Sequence, residues 1–222
     1  RPFWWRRADG RRLLVWHTDT PHGMAYMDGN LVGLADGEAA ARAALPDYLA
    51  VGSDDDWFLV PLSPEMALRV AQVVGASLPT PLMVDAIWSE ATVKLGADSI
   101  APSAAMITVP VFAEHNAMVR ARRAANPAPL GSLTAGHKKD VVLTPQLDTL
   151  KGRVAIYGWH RPDGTPIQPL NVSHTSDHVD YSHGIRLVRD RILIDGSEHE
   201  LSIVLRDPLL STLLSHEGPI QR

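Results

Sequence analysis

Apolar and polar positions alternate in short runs toward both ends of the chain and recur at helical spacing through its middle. Alternation in steps of two lays one face of a strand on a core, whereas apolar positions three and four apart make a helical stripe. On this basis residues 1–61 read as strands and turns, 62–125 as helices, 134–205 as a sheet and 207–214 as a terminal helix. A strand is predicted over 12–17. A hairpin is predicted over 24–35, turning at Asp28-Gly29-Asn30, because Asp-Gly tolerates the positive backbone angles of a tight turn. The acidic run Asp54-Asp55-Asp56 reads as a solvated turn before a strand at 57–60, since a calcium loop of the EF-hand kind needs spaced oxygens, a Gly and a distal Glu.

Ser63-Pro64-Glu65 opens the first helix: Ser63 caps, Pro64 costs nothing at the first position, and Glu65 suits the positive end of the dipole. Met66, Val70 and Val73 form its expected stripe and Gly75 its stop. Thr80-Pro81 repeats the signal ahead of Val84, Ile87, Trp88 and Ala91, and a third helix is predicted over 111–124. Asn126-Pro127-Ala128-Pro129 ends it, because closely spaced prolines stop a helix. Strands are then predicted over 140–143, 153–159, 167–172, 179–188, 191–194 and 200–205, with a turn at Arg161-Pro162-Asp163-Gly164. Helices and strands are segregated along the chain instead of alternating. The fold class is therefore α+β: one domain with an N-terminal β-hairpin region, central helices and a C-terminal, mainly antiparallel sheet.

Composition narrows the function. The 222 residues are 45% hydrophobic and 21% charged, ordinary values for a chain with a packed core. A net charge of -4 and a pI near 6.2 argue against a nucleic-acid partner and leave a small-molecule or polymeric substrate. The arginine groups Arg6, Arg7, Arg11, Arg12 and Arg120, Arg122, Arg123 read as solvated faces. With no cysteine, thiol nucleophiles, disulfides and cysteine-bound zinc are excluded. No apolar run is long enough for a transmembrane segment. The chain opens on Arg1-Pro2, for which a removed secretion signal is one explanation and a shortened chain another. A secreted or periplasmic location is expected, with a cytoplasmic one as the alternative. The absence of a phosphate loop, a Rossmann glycine pattern and a Gly-x-Ser-x-Gly elbow speaks against nucleotide binding and the α/β-hydrolase fold.

Candidate chemistry gathers between His160 and His183, where four of the ten histidines (His160, His174, His178, His183) lie among Asp163, Asp177, Asp180, Tyr181 and Ser182. If 179–188 is one strand, Val179, Tyr181, His183, Ile185 and Leu187 share a core face, and His178, Asp180, Ser182 and Arg186 an accessible one. Neighbours on one face then lie about 7 Å apart, beyond the roughly 3 Å of a nucleophile–base hydrogen bond. Partners must come from other strands, with His160 and Lys139 expected, and Trp159 in the pocket. The leading expectation is a hydrolase of an ester, amide or glycan-linked substrate. His183 or His174 is its acid/base, Ser182 or a water its nucleophile, Lys139 its base or charge stabiliser, and Tyr181 orients or protonates; Asp180 completes the set. His174, His178 and His183, with Asp177 or Asp180, also include the ligand types of a cysteine-free divalent metal site such as zinc. One alternative is a polysaccharide lyase using Tyr181 and His174, with Lys139 or Arg186 neutralising a uronate. The other is a non-catalytic module that binds a metal or cell-wall ligand. His17, His22, His115, His199 and His216 are expected at the surface.

Ser182-His183-Gly184-Ile185-Arg186-Leu187 resembles the Ser-His-Gly-Cys-Ile-Arg motif of L,D-transpeptidases over six of 222 residues. The cysteine that is acylated in that family is deleted here, so the resemblance does not carry its mechanism. Residues 138–143 and 154–187, with Gly158-Trp159-His160 and Asp180-Tyr181-Ser182-His183-Gly184, resemble a group of exported bacterial proteins of unassigned function. That resemblance implies an exported location and no particular activity.

Overall fold

The computed structural model describes the backbone of residues 3–6, 12–16, 30–33 and 41–43, and residues 44–53, 55–129, 131–194 and 197–221 in full. The chain begins with strands β1 (Phe3–Arg6), β2 (Arg12–Trp16), β3 (Asn30–Gly33), β4 (Ala41–Ala44), β5 (Ala50–Gly52) and β6 (Trp57–Leu59). The middle holds α1 (Pro64–Val73), β7 (Ala76–Ser77), α2 (Pro81–Glu90), β8 (Val93–Lys94) and α3 (Val109–Ala125). Next come β9 (Thr134–Ala135), β10 (Lys139–Val141), α4 (Gln146–Thr149), β11 (Ile156–His160) and β12 (Pro166–Asn171). The chain closes with β13 (His183–Gly184), β14 (Val188–Ile194), β15 (Ser197–Glu200) and α5 (Leu201–Arg206).

Among the described residues, one sheet runs β12-β11-β10-β13 and is antiparallel except for the parallel β10–β13 pair. A second runs β15-β14-β4-β3, all antiparallel, with β7 also paired to β14. β1–β2 and β5–β6 are antiparallel pairs, and β8–β9 is a short parallel one. The fold is thus α+β with mostly antiparallel strands, as expected. The segregation seen along the chain does not survive in space, because β3 and β4 join the sheet built by β14 and β15.

Local signals explain the helices. Ser63 and Thr80 cap α1 and α2 by accepting from the amides of Met66 and Met83, each ahead of a proline at the first position. α2 buries Met83, Val84, Ile87 and Trp88, as its spacing requires. α1 corrects the expected stripe: Met66 and Val73 are 43% and 57% exposed, and Ala67, Val70 and Ala71 face inward instead. The larger core joins α2 to both sheets through Met83, Ile87, Val141, Ile156, Ile185 and Val188. Each such side chain contributes about 1.5–3 kcal/mol on burial.

Other expectations change with tertiary context. Residues 200–205 form the helix α5 after the short β15, not a strand, and α5 buries Leu201, Val204 and Leu205. Residues 179–188 are not one strand: only His183–Gly184 and the chain from Val188 pair as strands. The terminal helix is reduced to a 3-10 turn at Leu210–Leu213, opened by Asp207 Oδ1 accepting from the amides of Leu209 and Leu210. The hairpin turn at Asp28-Gly29, together with His17 and His22, lies outside the described residues, and β3 pairs with β4. Among the described residues no helix is long and apolar enough to cross a membrane.

Candidate functional site

The bend that replaces the expected strand is what makes a site. Asp180 Oδ1 accepts hydrogen bonds from the Ser182 amide (2.7 Å) and the Ser182 hydroxyl, and the His183 amide donates to the Asp180 carbonyl at 3.1 Å. An aspartate that captures the amide two residues ahead stabilises a turn in competition with a strand. β13 then pairs with β10 in parallel, Lys139 beside His183 and Asp140 beside Gly184, with the Lys139 amide donating to the Ser182 carbonyl at 2.8 Å. Gly184 is required there. A Cβ on it would lie 2.5 Å from Lys138 Cβ and 2.7 Å from the Tyr48 ring.

The turn folds Asp180 back against two imidazoles. Asp180 Oδ2 lies 3.6 Å from His178 Nε2 and 3.8 Å from His183 Nε2. His183 is 1% exposed, and neither ring nitrogen has a hydrogen-bond partner. Burial pushes its pKa down to about 4, so the ring is neutral at pH 7. Burial alone would raise the Asp180 pKa; His183, the Ser182 hydrogen bonds and Lys139 together outweigh it and hold the carboxyl below its ordinary value. His174 is exposed and stacks on His178, with ring centres 4.2 Å apart and planes 10° from parallel. Burial, then the neighbouring His178, lowers its pKa. His178, Asp180 and His183 each offer a ligand atom within 4.8 Å of the others.

Of the partners expected from other strands, Lys139 joins this group. Its Nζ sits 5.0 Å above the Trp159 ring. Burial lowers its pKa, opposed by the charge of Asp180. Trp159 has a φ of +56°, directly after Gly158 at +102°, where β11 shifts register against β12. A left-handed tryptophan costs roughly 1–3 kcal/mol and persists only where its surroundings hold it, here Lys139 and the Tyr181 ring, 6.5 Å away. His160, by contrast, belongs to a different constellation. Its Nε2 meets Asp85 Oδ1 at 2.9 Å, the same carboxylate accepts from the Tyr157 hydroxyl, and Trp88 stacks on the ring.

The expected accessible face is buried except at His178. Ser182 is 0% exposed with its hydroxyl committed to Asp180, an arrangement that suits a residue orienting a carboxylate. Arg186 is also 0% exposed: its guanidinium donates to the carbonyls of Leu45 (2.8 Å) and Thr134 (2.6 Å) and lies 4.2 Å over the Tyr48 ring. The Tyr48 hydroxyl donates to Asp140 Oδ2 at 2.8 Å, and burial raises the Asp140 pKa to about 6. Tyr181 is buried as well, its hydroxyl accepting from the Ile100 amide at 2.8 Å.

Several of these residues escape a reading of the sequence alone. Lys138 reads as a solvated charge, yet it is 1% exposed and donates to the Tyr181 carbonyl at 2.6 Å, with His115 Nδ1 3.1 Å away. Burial lowers the Lys138 pKa to about 7 and that of His115 to about 3. His115 is thus a core residue, not a surface one. The spacing of His115, Val119 and Arg123 on one face of α3 is the signal that marks it. The arginines of α3 are partnered, not merely solvated: Arg120 with Asp56, Arg122 with Asp98 and Arg123 with Asp47. An open groove of about 610 Å³ between β6 and α3 is lined by Trp57, Phe58, Asn116 and Arg120, and none of the histidine cluster reaches it.

No protein-family model, no curated protein and no solved structure matches the chain.

Proposed function

We propose that the protein is a hydrolase of an ester, amide or glycan-linked substrate, with His178, Asp180 and His183 holding the attacking water. The observation that carries this reading is His183: a fully buried imidazole whose nitrogens have no partner, 3.8 Å from a carboxylate oxygen. Buried polar atoms left unpaired are costly, and they concentrate where a structure reserves them for a ligand or reactant. Water is the nucleophile in this scheme, because the Ser182 hydroxyl is already spent on Asp180. The proton leaves to solvent at the rim, where His178 is 28% exposed, and Lys139 stabilises the anion that forms on the substrate. The buried Tyr181 hydroxyl, bound to the Ile100 amide, leaves a lyase without its phenolic base. An exported location accompanies this reading through the resemblance of residues 154–187 to exported bacterial proteins.

The test is a panel of chromogenic esters, peptide amides and glycosides assayed with wild type and His183→Ala. The reading requires turnover on at least one class that the substitution abolishes while the melting temperature holds. No turnover on any class, with retention on a polymer, would point to the binding module instead.

A further inference from the structure

We infer that His178, Asp180 and His183 bind one divalent transition-metal ion of the zinc class, a proposal that rests on the same three residues as the hydrolase reading and deepens it. The spacing fits. A tetrahedral ion with bonds of about 2.0–2.2 Å separates its ligand atoms by about 3.3–3.6 Å. The two Nε2–Oδ2 separations are 3.6 and 3.8 Å and all three ligand atoms lie within 4.8 Å of one another, so closing onto an ion takes movements of up to about an ångström. Two imidazoles and one carboxylate, without sulfur, suit zinc and its first-row neighbours, and three protein ligands leave a position for water.

Three further features separate this group from a chance meeting of surface side chains. His183 is buried with Nε2 unpartnered, so no competing hydrogen bond must be displaced. Asp180 is divided in its tasks: Oδ1 is fixed by both Ser182 donors, and Oδ2 is left to the imidazoles. Outer contacts of this kind orient a ligand carboxylate. His178, at the rim, is held flat by the His174 ring stacked on it. His174 itself falls outside the group of mutually close ligand atoms and is assigned as a positioning residue.

Zinc titration into chelator-treated full-length chain without a histidine tag, followed by calorimetry and by melting temperature, tests this. Wild type should bind one ion per chain saturably and melt higher with it. Asp180→Asn, which keeps the shape of the side chain, and His183→Ala should each weaken binding by more than about 100-fold, whereas His174→Ala and Ser182→Ala should cost about 10–100-fold. Cobalt(II) should give the visible absorption of a four-coordinate site in wild type and lose it in Asp180→Asn. Absence of saturable binding by wild type, or binding that Asp180→Asn and His183→Ala leave unchanged, overturns the proposal. Zinc binding without hydrolysis on any substrate upholds the metal site and sinks the hydrolase. Hydrolysis that survives chelation in a protein that does not bind zinc does the reverse.

Discussion

Two buried polar residues three positions apart, His183 and Arg186, meet opposite fates. Arg186 is partnered by the carbonyls of Leu45 and Thr134 and by the face of Tyr48. The His183 side chain has a carboxylate close by and no hydrogen bond. The same division separates the adjacent lysines. Lys138 donates inward to Tyr181 and meets His115, whereas Lys139 lies over Trp159 beside Asp180. One side of this short stretch holds the fold together, and the other is kept under-partnered. Polarity and burial alone do not mark a site; lack of partners narrows the candidates, to His183 and the likewise unpartnered His137 beside Asp47.

That contrast can be broken most forcefully at Arg186. Arg186→Met strands two buried carbonyls, each costing about 1–3 kcal/mol, so urea unfolding should show a loss of about 3 kcal/mol or more, or no folded protein. A loss under about 1 kcal/mol would mean that the clasp is dispensable. Next comes Gly184→Ala, whose Cβ has no room against Lys138 and Tyr48; overpacking of this kind costs about 1–3 kcal/mol, read as a lower urea midpoint.

Lys138 sharpens the comparison through pH. Its folded pKa is about 7 against an ordinary 10.5. Between those values the unfolded chain holds a proton that the folded chain does not, so stability rises with pH across that window. Wild type should therefore gain on Lys138→Met as pH is raised from about 7 to about 10, measured as the difference in urea midpoint. A flat difference would show that the amine keeps its charge inside the fold. The smallest effect on stability is expected at His183. His183→Ala removes an unpaired imidazole as well as its packing, and the two offset to within about 1 kcal/mol, while turnover is lost. Ser182→Ala should lower turnover by about 10–100-fold, as for a residue that orients Asp180; complete loss would restore Ser182 as the nucleophile.

The helices and their caps were legible in the sequence because their signals are local: Ser63-Pro64, Thr80-Pro81 and the stripe Val84, Ile87, Trp88 decide α2 and the start of α1 without help from the rest of the chain. The candidate site was legible as a cluster along the chain and not as a geometry. Strand alternation set Asp180 and His183 on opposite faces, and the Asp180–Ser182 turn overrode it with contacts only two residues long. Asp85, His115, Lys138 and the burial of Arg186 depend on partners 23 to 141 positions away, which no local pattern encodes.

The Arg186 clasp also bears on the order in which the chain is made. It ties Leu45, Thr134 and Arg186 together, the first and last 141 positions apart, and β4, already paired with β3, gains its second sheet partner only when β14 exists. A ribosome has therefore released the residues through β14 before this sheet can close, and the β3–β4 pair waits with one edge open. Closure of this sheet is in that sense a late event, and its period of greatest exposure to aggregation falls before residues 188–194 emerge.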